Sequence, residues 1–396
     1  MKLPHVKDAN VKGKRVFLRC DLNVPLNEWG MITDTNRIDS SLKTIRYLLE
    51  KGAKLIITSH LGRPKNKPDP EFSLKPVAKY LTEALGAEIP LVENYYEGGI
   101  PDAITKIADG HAVLLENLRF HPGEEANDPA FVSRLASFAD VYVNDAFGTC
   151  HRAHASVVGI AQKLPHYAGF LIVDEVENLG RLMETDEAGK PFVVVLGGAK
   201  VSDKIGIIEN LIDKVDAILI GGGMAFTFLK ALGHSVGRSL VQDDFIGAVG
   251  GLMERAKTAG VKLELPDDLV IADDTHAGAE WKVSGVDIED SLWMGLDIGP
   301  KTISKFRGYL VNARKVFING PMGVFETDLF ANGTRDIFRV VASSNAFSVI
   351  GGGDSVAAVN KFQLTGRFSF VSTGGGASLE FLSGVELPGL VALSAK

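Results

Sequence analysis

The chain has 396 residues, of which 45% are hydrophobic, and its formal net charge at pH 7 is −7. This length predicts two or three domains, and the hydrophobic content excludes an intrinsically disordered chain. The acidic balance disfavours a broad nucleic-acid interface but not a local anion site, because net charge does not describe a single cleft.

The cysteine count and the apolar segments indicate the cellular compartment of the protein. Cys20 and Cys150 are too few for a disulfide framework and suit a reducing compartment. Residues 1–10 lack the apolar core of a secretory signal. The longest apolar stretch, 217–229, is shorter than the roughly 20 residues of a membrane span and contains three consecutive glycines. We therefore expect a soluble cytoplasmic protein with no membrane partner.

Short apolar runs alternate with segments of helical periodicity along the whole chain. Their richness in Val, Ile and Leu, without polar alternation, is typical of parallel strands covered on both faces. The alternation predicts an α/β fold of two Rossmann-like lobes, each a parallel sheet covered by helices. The runs are Val16–Leu18, Leu55–Thr58, Ala112–Leu115, Val141–Val143, Phe192–Leu196, Ala217–Ile220, Lys262–Leu265, Val316–Ile318, Phe347–Ile350 and Phe368–Val371.

The two lobes are predicted to meet between residues 165 and 190. Phe170–Met183 has the apolar spacing of one acidic helix, and Thr185–Pro191 has the polar, Gly- and Pro-containing composition of a boundary. We predict an N-terminal domain at 1–170, an interdomain helix and hinge at 171–189, and a C-terminal domain at 190–381.

In the first half of the chain, the predicted strands end in charged and polar groups. Ligands of open α/β sheets bind beyond the carboxyl ends of the strands, so these groups are candidate site residues. Several guanidinium groups at one rim require an anion to offset their repulsion, which predicts a phosphate- or carboxylate-bearing substrate. The candidates are Asp21, Asn23, His60, Leu61, Gly62, Arg63, Arg119 and Arg152, with Arg37 joining them from a polar loop after Thr33–Asn36.

In the second half, five predicted strands end in glycines instead. One such site often needs only a tight turn, but the repetition favours backbone approach to a nucleotide and to its phosphates at helix N-termini. The segments are Gly197–Lys200, Gly221–Gly223, Asn319–Gly323, Gly351–Ser355 and Ser372–Gly376. No GxxxxGK[ST] or GxGxxG motif and no HRD and DFG pair occurs, which argues against a P-loop ATPase, a dinucleotide dehydrogenase and a protein kinase. A basic lobe and a glycine-rich lobe together predict phosphoryl transfer by domain closure.

Several of these residues also fit a purely structural role. Lys200 and Lys204, near a helix opened by Ser202 or Asp203, either contact the transferring phosphates or are solvated. Asp354 caps the following helix, helps to hold Mg²⁺, which takes one or two carboxylates plus phosphates, or does both.

Three further candidates allow the same two interpretations. Glu326 is either a surface carboxylate or an acceptor for a ribose hydroxyl. His60 is either a core histidine or a substrate contact. Asp21 and Asn23 flank Leu22 at strand spacing, which suits the grasp of a hydroxyl, but an Asx turn is an alternative.

Motifs in both halves resemble those of the phosphoglycerate kinase family, and they occur in order over essentially the whole chain. The substrate-lobe motifs are RCDLNVP at 19–25, SHLGRP at 59–64, ENLRF at 116–120, NDAFG at 144–148 and HRAHAS at 151–156. The nucleotide-lobe motifs are GGAKVSDK at 197–204, GGGMAFTFL at 221–229, WMGLDIG at 293–299, NGPMGVFE at 319–326, GGGDS at 351–355 and STGGGASLE at 372–380.

The resemblance implies reversible, Mg²⁺-dependent phosphoryl transfer between 1,3-bisphosphoglycerate and ADP, giving 3-phosphoglycerate and ATP in glycolysis and gluconeogenesis. It also implies a monomer whose tail, 382–396, returns to the first lobe. The resemblance places 3-phosphoglycerate on Asp21, Asn23, Arg37, His60, Arg63, Arg119 and Arg152, with Leu61 and Gly62 beside it. It places the nucleotide on Lys204, Gly295, Glu326, Gly352, Gly353, Asp354 and Ser355, with Asp354 towards the metal. The transferred group would be stabilised by Arg37, Lys200, Gly375 and Gly376.

Two other functions are weighed against this interpretation. Another small-acid kinase on two α/β lobes would share the glycines but differ in its substrate-lobe residues. A non-catalytic binding or scaffold protein would not need Arg37, Lys200 and the glycine-rich strand ends together. Turnover of 3-phosphoglycerate with ATP discriminates between them.

Overall fold

The computed structural model describes residues 3–184 and 187–394; Thr185 and Asp186, in the segment predicted as a boundary, lie outside the described residues. The chain divides into two compact units. The first runs to Glu177 and resumes at Glu386, and the second is Asn178–Val385. The division falls inside the helix Phe170–Met183, for which the sequence predicted the same bounds. No helix in the described ranges is long and apolar enough to cross a membrane.

The described part of the first unit is built on a six-stranded parallel sheet with the order β3-β4-β2-β1-β5-β6. Its strands are β1 (Arg15–Cys20), β2 (Lys54–Thr58), β3 (Leu91–Val92), β4 (Ala112–Leu115), β5 (Val141–Asp145) and β6 (His166–Ala168). The four predicted strands are confirmed to within two residues. The sequence missed β3 and β6, because two or three residues are too few to show a periodicity.

Helices cover this sheet, and one of them corrects a prediction. They are α1 (Asn36–Glu50), α2 (Lys75–Leu85), α3 (Asp102–Thr105), α4 (Pro122–Glu125), α5 (Pro129–Ala136) and α6 (Phe170–Met183). The polar loop predicted for Arg37 is wrong, since α1 begins at Asn36 and Arg37 lies in its first turn. The helix extends this far because Ile38 already belongs to the buried stripe that continues through Leu42 and Ile45.

The second unit contains a second parallel sheet, and every strand predicted for it is confirmed. Among the described residues this sheet has six strands in the order β15-β14-β13-β7-β8-β9. The strands of the unit are β7 (Phe192–Leu196), β8 (Ala217–Ile220), β9 (Lys262–Glu264), β10 (Leu269–Ala272), β11 (Trp281–Ser284), β12 (Met294–Ile298), β13 (Lys315–Asn319), β14 (Phe347–Gly351) and β15 (Phe370–Val371). The helices are α7 (Ile205–Leu211), α8 (Ala225–Ala231), α9 (Ile246–Ala259), α10 (Pro300–Leu310), α11 (Asn332–Ala342), α12 (Gly353–Lys361) and α13 (Gly376–Leu382).

The sequence did not predict the small antiparallel sheet formed by β10, β11 and β12. The strand β11 is largely exposed and shows no buried apolar run. The central strand β10 is buried on both faces: Leu269 and Ile271 pack with Phe226, and Val270 and Ala272 pack in a separate cluster. Leu269 and Gly295 of this sheet line the same cavity as Gly198 and Gly222, so the small sheet lies beside the glycine-rich ends of the parallel sheet.

The end of the chain belongs to the first unit. The helix α14 (Pro388–Ser394) follows Glu386, and the backbone N–H of Gly389 donates to the carbonyl of Cys150 at 2.8 Å. Shorter helical turns occur in both units, among them the 3-10 helices Leu118–Phe120 and Val201–Asp203 and the π-helix Ala155–Gly159.

Candidate active site

The segments that follow β1 and β2 are joined by hydrogen bonds. The N–H of Leu22 donates to Ser59 Oγ at 2.8 Å, and the N–H of Gly62 donates to Asn23 Oδ1 at 2.8 Å. Gly62 has a φ of +60°, and a Cβ at this position would lie 2.3 Å from the ring of Phe72. A glycine is therefore required here both for the backbone conformation and for the close approach.

The segment after β4 joins the same rim. Asn117 Nδ2 donates to the carbonyl of Leu61 at 2.7 Å, and Arg119 donates to the carbonyl of Gly62 at 2.9 Å. Arg119 also forms an ion pair with Glu125 at 3.2 Å, and burial lowers its pKa. The structure thus brings Asn23, Leu61, Gly62 and Arg119 together.

Arg37 and Asp21 form an ion pair within the first unit. The guanidinium lies 2.5 Å from Asp21 Oδ2, and the Asp21 side chain is only 6% exposed. Asp21 Oδ1 also accepts the N–H of Asn23 at 3.4 Å, as in an Asx turn. The structure thus shows the Asx turn at Asp21 and adds its ion pair with Arg37, while its contact with a substrate hydroxyl stays a prediction.

His60 is buried, as a core histidine would be, but a charged residue contacts it. Its Nδ1 lies 3.2 Å from a terminal nitrogen of Arg19, which is itself fully buried. Burial, followed by the charges of Arg19, Arg119 and Arg37, holds the pKa of His60 well below its usual value. The sequence places Arg19 directly after the predicted strand Val16–Leu18, but Arg19 was not selected as a site residue; the available signal was its position among the charged groups at this strand end.

Arg63 and Arg152 are exposed, and no hydrogen bond or ion pair fixes either side chain within the described residues. Arg152 lies close enough to His154 to affect its titration. Burial, then Arg119, Arg19 and Arg152, lowers the pKa of His154 to about 3. The rim therefore carries several arginine charges, and two of these side chains, Arg63 and Arg152, have no partner within the part of the chain that the structure describes.

In the second unit, the glycine-rich strand ends line two adjoining cavities. The first, the lysine cavity, has a volume of about 370 Å³. Its lining includes eight of the predicted residues, namely Lys200, Lys204, Gly352, Gly353, Asp354, Ser355, Gly375 and Gly376. The second, the apolar cavity, measures about 380 Å³ and is lined by Gly295, Glu326 and apolar side chains that include Phe226 and Met294.

The two cavities share Gly198, Ala199 and Asp354 in their linings and therefore adjoin each other. All residues predicted to contact the nucleotide line one or both of them. A larger cavity of about 660 Å³ lies elsewhere in the unit, beside β9, and is lined by none of the predicted site residues. Volume alone therefore does not identify the site.

Lys204 is the most perturbed cation of the lysine cavity. Its Nζ donates to Asn319 Oδ1, and burial lowers its pKa to about 8 although Asp203 and Asp354 act in the opposite direction. The helix expected to open at Ser202 or Asp203 begins later, at Ile205, with Lys204 at its N-cap. Lys200 is exposed, and both interpretations of this residue, a solvated lysine and a contact with the transferring phosphates, stay open.

The structure separates the two interpretations of Asp354. Gly352 occupies the N-cap of α12, and no side chain among the described residues caps this helix, so the capping role is wrong. Asp354 is exposed and lines both cavities. Ser355, next to it, is buried and its Oγ accepts the N–H of Gly320 at 2.7 Å.

Some of the glycines serve the packing of the loops rather than an open ligand surface. Gly222 has a φ of +61°, and a Cβ there would lie 2.5 Å from the nitrogen of Gly198. By contrast, a Cβ on Gly353 would meet open space. The tight-turn interpretation is therefore right for Gly222, while Gly353 leaves room at the start of α12.

The comparison with protein families decides the identity. The family model described as phosphoglycerate kinase matches residues 6–385. The chain belongs to the phosphoglycerate kinase family. It is a phosphotransferase that moves a phosphoryl group between 1,3-bisphosphoglycerate and ADP, giving 3-phosphoglycerate and ATP in glycolysis. The other small-acid kinase and the non-catalytic scaffold are set aside.

Relatives and solved structures agree over the full length. The chain is 52% identical to the phosphoglycerate kinase of Thermosipho africanus, covering 99% of this chain and 98% of that protein. It is 51% identical to that of Moorella thermoacetica, covering 99% of each. The structure of phosphoglycerate kinase from Coxiella burnetii matches with a TM-score of 0.89 at 42% identity, covering 99% of each chain. The phosphoglycerate kinase structure from Pyrococcus horikoshii gives 0.83 at 36% identity, covering 99% and 98%. The predicted α/β fold with two sheets is thereby confirmed.

Proposed function

We propose that this kinase binds 3-phosphoglycerate at the arginine-bearing strand ends of its first unit and the nucleotide at the glycine-bearing strand ends of its second. The main support is that the predicted nucleotide residues line the lysine cavity and the apolar cavity, which adjoin each other. The apolar cavity suits a base, with Glu326 accepting from the ribose, and the lysine cavity suits the phosphates.

The first unit binds the substrate through two kinds of group, charged side chains and hydrogen-bonding groups whose positions are fixed. Arg37, Arg63, Arg119 and Arg152 supply the positive charge for a phosphate and a carboxylate. Asp21 and Asn23 hold the substrate hydroxyl, and His60, Leu61 and Gly62 complete the rim. The support is the hydrogen bonding that ties these loops together, including the Gly62 to Asn23 bond of 2.8 Å.

The transfer step needs no nucleophilic side chain and no strong general base, because an acyl phosphate is already activated. Arg37 and Lys200, with the free N–H groups at Gly375 and Gly376 where α13 begins, stabilise the charge of the transferring group. Catalysis then consists of in-line positioning and charge stabilisation.

Mg²⁺ accompanies the nucleotide in this proposal. Among the described residues no group of three or more His, Cys, Asp or Glu side chains is arranged to hold a metal. The exposed carboxylate of Asp354 nevertheless fits, because Mg²⁺ takes oxygen ligands and commonly uses one or two carboxylates together with phosphates and waters. When bound, the ion neutralises phosphate charge, and Asp354 holds it.

A crosswise binding experiment tests this division. Arg152→Met should weaken 3-phosphoglycerate binding by roughly 10- to 100-fold, the value of a charge-assisted hydrogen bond, and leave Mg²⁺–ADP binding unchanged. Asp354→Asn should weaken Mg²⁺–ADP binding but change neither metal-free ADP nor 3-phosphoglycerate binding. Arg307→Met and Asp244→Asn are matched controls, since both residues are exposed and outside the proposed site. The assignment fails if Arg152→Met weakens Mg²⁺–ADP binding while Asp354→Asn weakens 3-phosphoglycerate binding. It also fails if the two control variants lose as much affinity as the site variants.

Domain closure and the solution state complete the proposal. The two ligands meet only when the units close about the segment 171–189, and closure excludes water from the transfer. The enzyme acts as a cytoplasmic monomer without nucleic-acid or membrane partners; the net charge of −7 and two unpaired buried cysteines support this. Small-angle scattering should show compaction only when both ligands are present, and sedimentation should give one chain per particle. Equal compactness with and without the ligands would contradict a hinge.

A further inference from the structure

The buried side chain of Arg19 contacts His60, the histidine of the substrate rim. Arg19 lies in β1 with none of its surface exposed. Its Nε donates to Ser156 Oγ at 2.9 Å, one terminal nitrogen donates to the carbonyl of Cys20, and the other lies 3.2 Å from His60 Nδ1. All three nitrogen groups of the guanidinium therefore have partners, and its orientation is fixed.

The charge of Arg19 is compensated inside the same unit. Glu124, also fully buried, accepts Ser156 Oγ–H at 2.6 Å and the Ser156 N–H at 3.1 Å. Burial raises the pKa of Glu124, while Arg19 and Ser156 act to lower it. The Ser156 hydroxyl thus accepts a hydrogen bond from Arg19 and donates one to Glu124, and this link between two opposite charges explains how an arginine is tolerated in the core.

This arrangement dictates the protonation state of the His60 ring. A guanidinium carries donors only and has no acceptor, so the ring nitrogen that faces it must present a lone pair. His60 Nδ1 is therefore unprotonated, and the neutral ring carries its proton on Nε2. Burial and, after it, the charges of Arg19, Arg119 and Arg37 oppose a second proton on this ring.

We propose that Arg19 is a positioning residue that fixes His60 as the Nε2–H tautomer, so that the ring offers a neutral donor to an oxygen of the anionic substrate. The inference rests on the proposed placement of 3-phosphoglycerate beside His60. A free imidazole would divide its proton between two nitrogens and would titrate near pH 6.5, so the fixed tautomer keeps the donor present at every working pH.

The tautomer is measured directly in the ligand-free enzyme. Protein labelled with ¹⁵N-histidine gives ring ¹H–¹⁵N correlations, and His60→Gln assigns the His60 signals by their loss. We expect Nδ1 to be unprotonated and Nε2 to be protonated without change from pH 5 to pH 9. A ring protonated on Nδ1, or one that becomes doubly protonated between these values, overturns the inference without the need for any variant.

A double-mutant comparison separates positioning from mere packing. Arg19→Met is made together with Glu124→Gln, so that neither charge is left uncompensated in the core. In the wild-type background this pair should raise KM for 3-phosphoglycerate about tenfold, with kcat within about twofold, as expected for loss of one hydrogen bond to the bound substrate. In the His60→Gln background the amide donor has no tautomers, so the same pair should change KM by less than about twofold. An equal rise in both backgrounds shows a structural role only and overturns the proposal.

The two levels of the proposal fail in different ways. If His60→Ala leaves KM for 3-phosphoglycerate unchanged, the placement of substrate at His60 is wrong, whatever the tautomer. If His60→Ala raises KM, the substrate placement stands. If the His60 ring spectrum is then the same in wild type and in the Arg19→Met, Glu124→Gln variant, the positioning role of Arg19 is overturned.

Discussion

Nucleotide binding should weaken as Lys204 loses its proton, and the pH range follows from the structure. Burial lowers the pKa of Lys204 to about 8, with Asp203 and Asp354 opposing the shift. A group whose pKa is about 8 is roughly 90% charged at pH 7 and roughly 10% charged at pH 9. Phosphates bind the ammonium form, so the apparent Kd, which scales inversely with the competent fraction, should rise about tenfold over this range.

Isothermal titration of Mg²⁺–ADP between pH 7 and pH 9 measures this effect. Because phosphate binding favours the charged lysine, the complex should also take up about half a proton at pH 8, which titrations in buffers of different ionisation enthalpy detect. The matched variant is Lys204→Arg, whose guanidinium stays charged throughout. Its affinity should be flat across the range. If wild type and variant give parallel profiles without proton uptake, the reasoning from burial at Lys204 is refuted.

Three further predictions follow from the first unit. Arg37→Ala should lower kcat by roughly 100-fold or more. Because the variant leaves the Asp21 carboxylate without its ion-pair partner, it should also cost about 1–3 kcal/mol of unfolding free energy. A rate near that of wild type in the coupled assay contradicts the role given to Arg37. Burial raises the pKa of Asp145 from 3.8 to about 7, so the unfolded chain ionises first and the stability of the wild type falls as the pH rises from about 4 to about 7. Asp145→Asn should therefore gain stability relative to wild type as the pH rises from 5 to 8, by about 3 kcal/mol in denaturant titrations, and a constant difference would count against this. Gly62→Ala should destabilise the enzyme by about 1–2 kcal/mol for its positive φ alone, and the contact of the new Cβ with Phe72 adds to this cost. The variant should raise KM for 3-phosphoglycerate but not for the nucleotide; equal effects on both ligands would show that the change is not confined to the substrate rim.

The two parallel sheets could be predicted because a strand covered on both faces must be apolar at every position. Phe192–Leu196 and Ala217–Ile220 are such runs, and the structure gives them the same bounds. The glycine-rich strand ends could be recognised for a related reason, since only glycine permits the backbone approach that recurs there. Where an element lacks a continuous buried pattern, as in the exposed strand Trp281–Ser284, the sequence carried too little signal.

What the sequence determined by itself was therefore the family, the two sheets and the residue types at their carboxyl ends. The tertiary structure alone decided which of those residues meet: Arg19 reaches His60 because β1 and β2 are neighbours in the sheet, with Arg19 in register with Thr58. It also decided that Asp354 faces the cavities instead of capping its helix, and that Lys204 is buried enough to titrate near pH 8. These properties depend on burial and on neighbours distant in the chain, and residue type and spacing along a sequence specify neither.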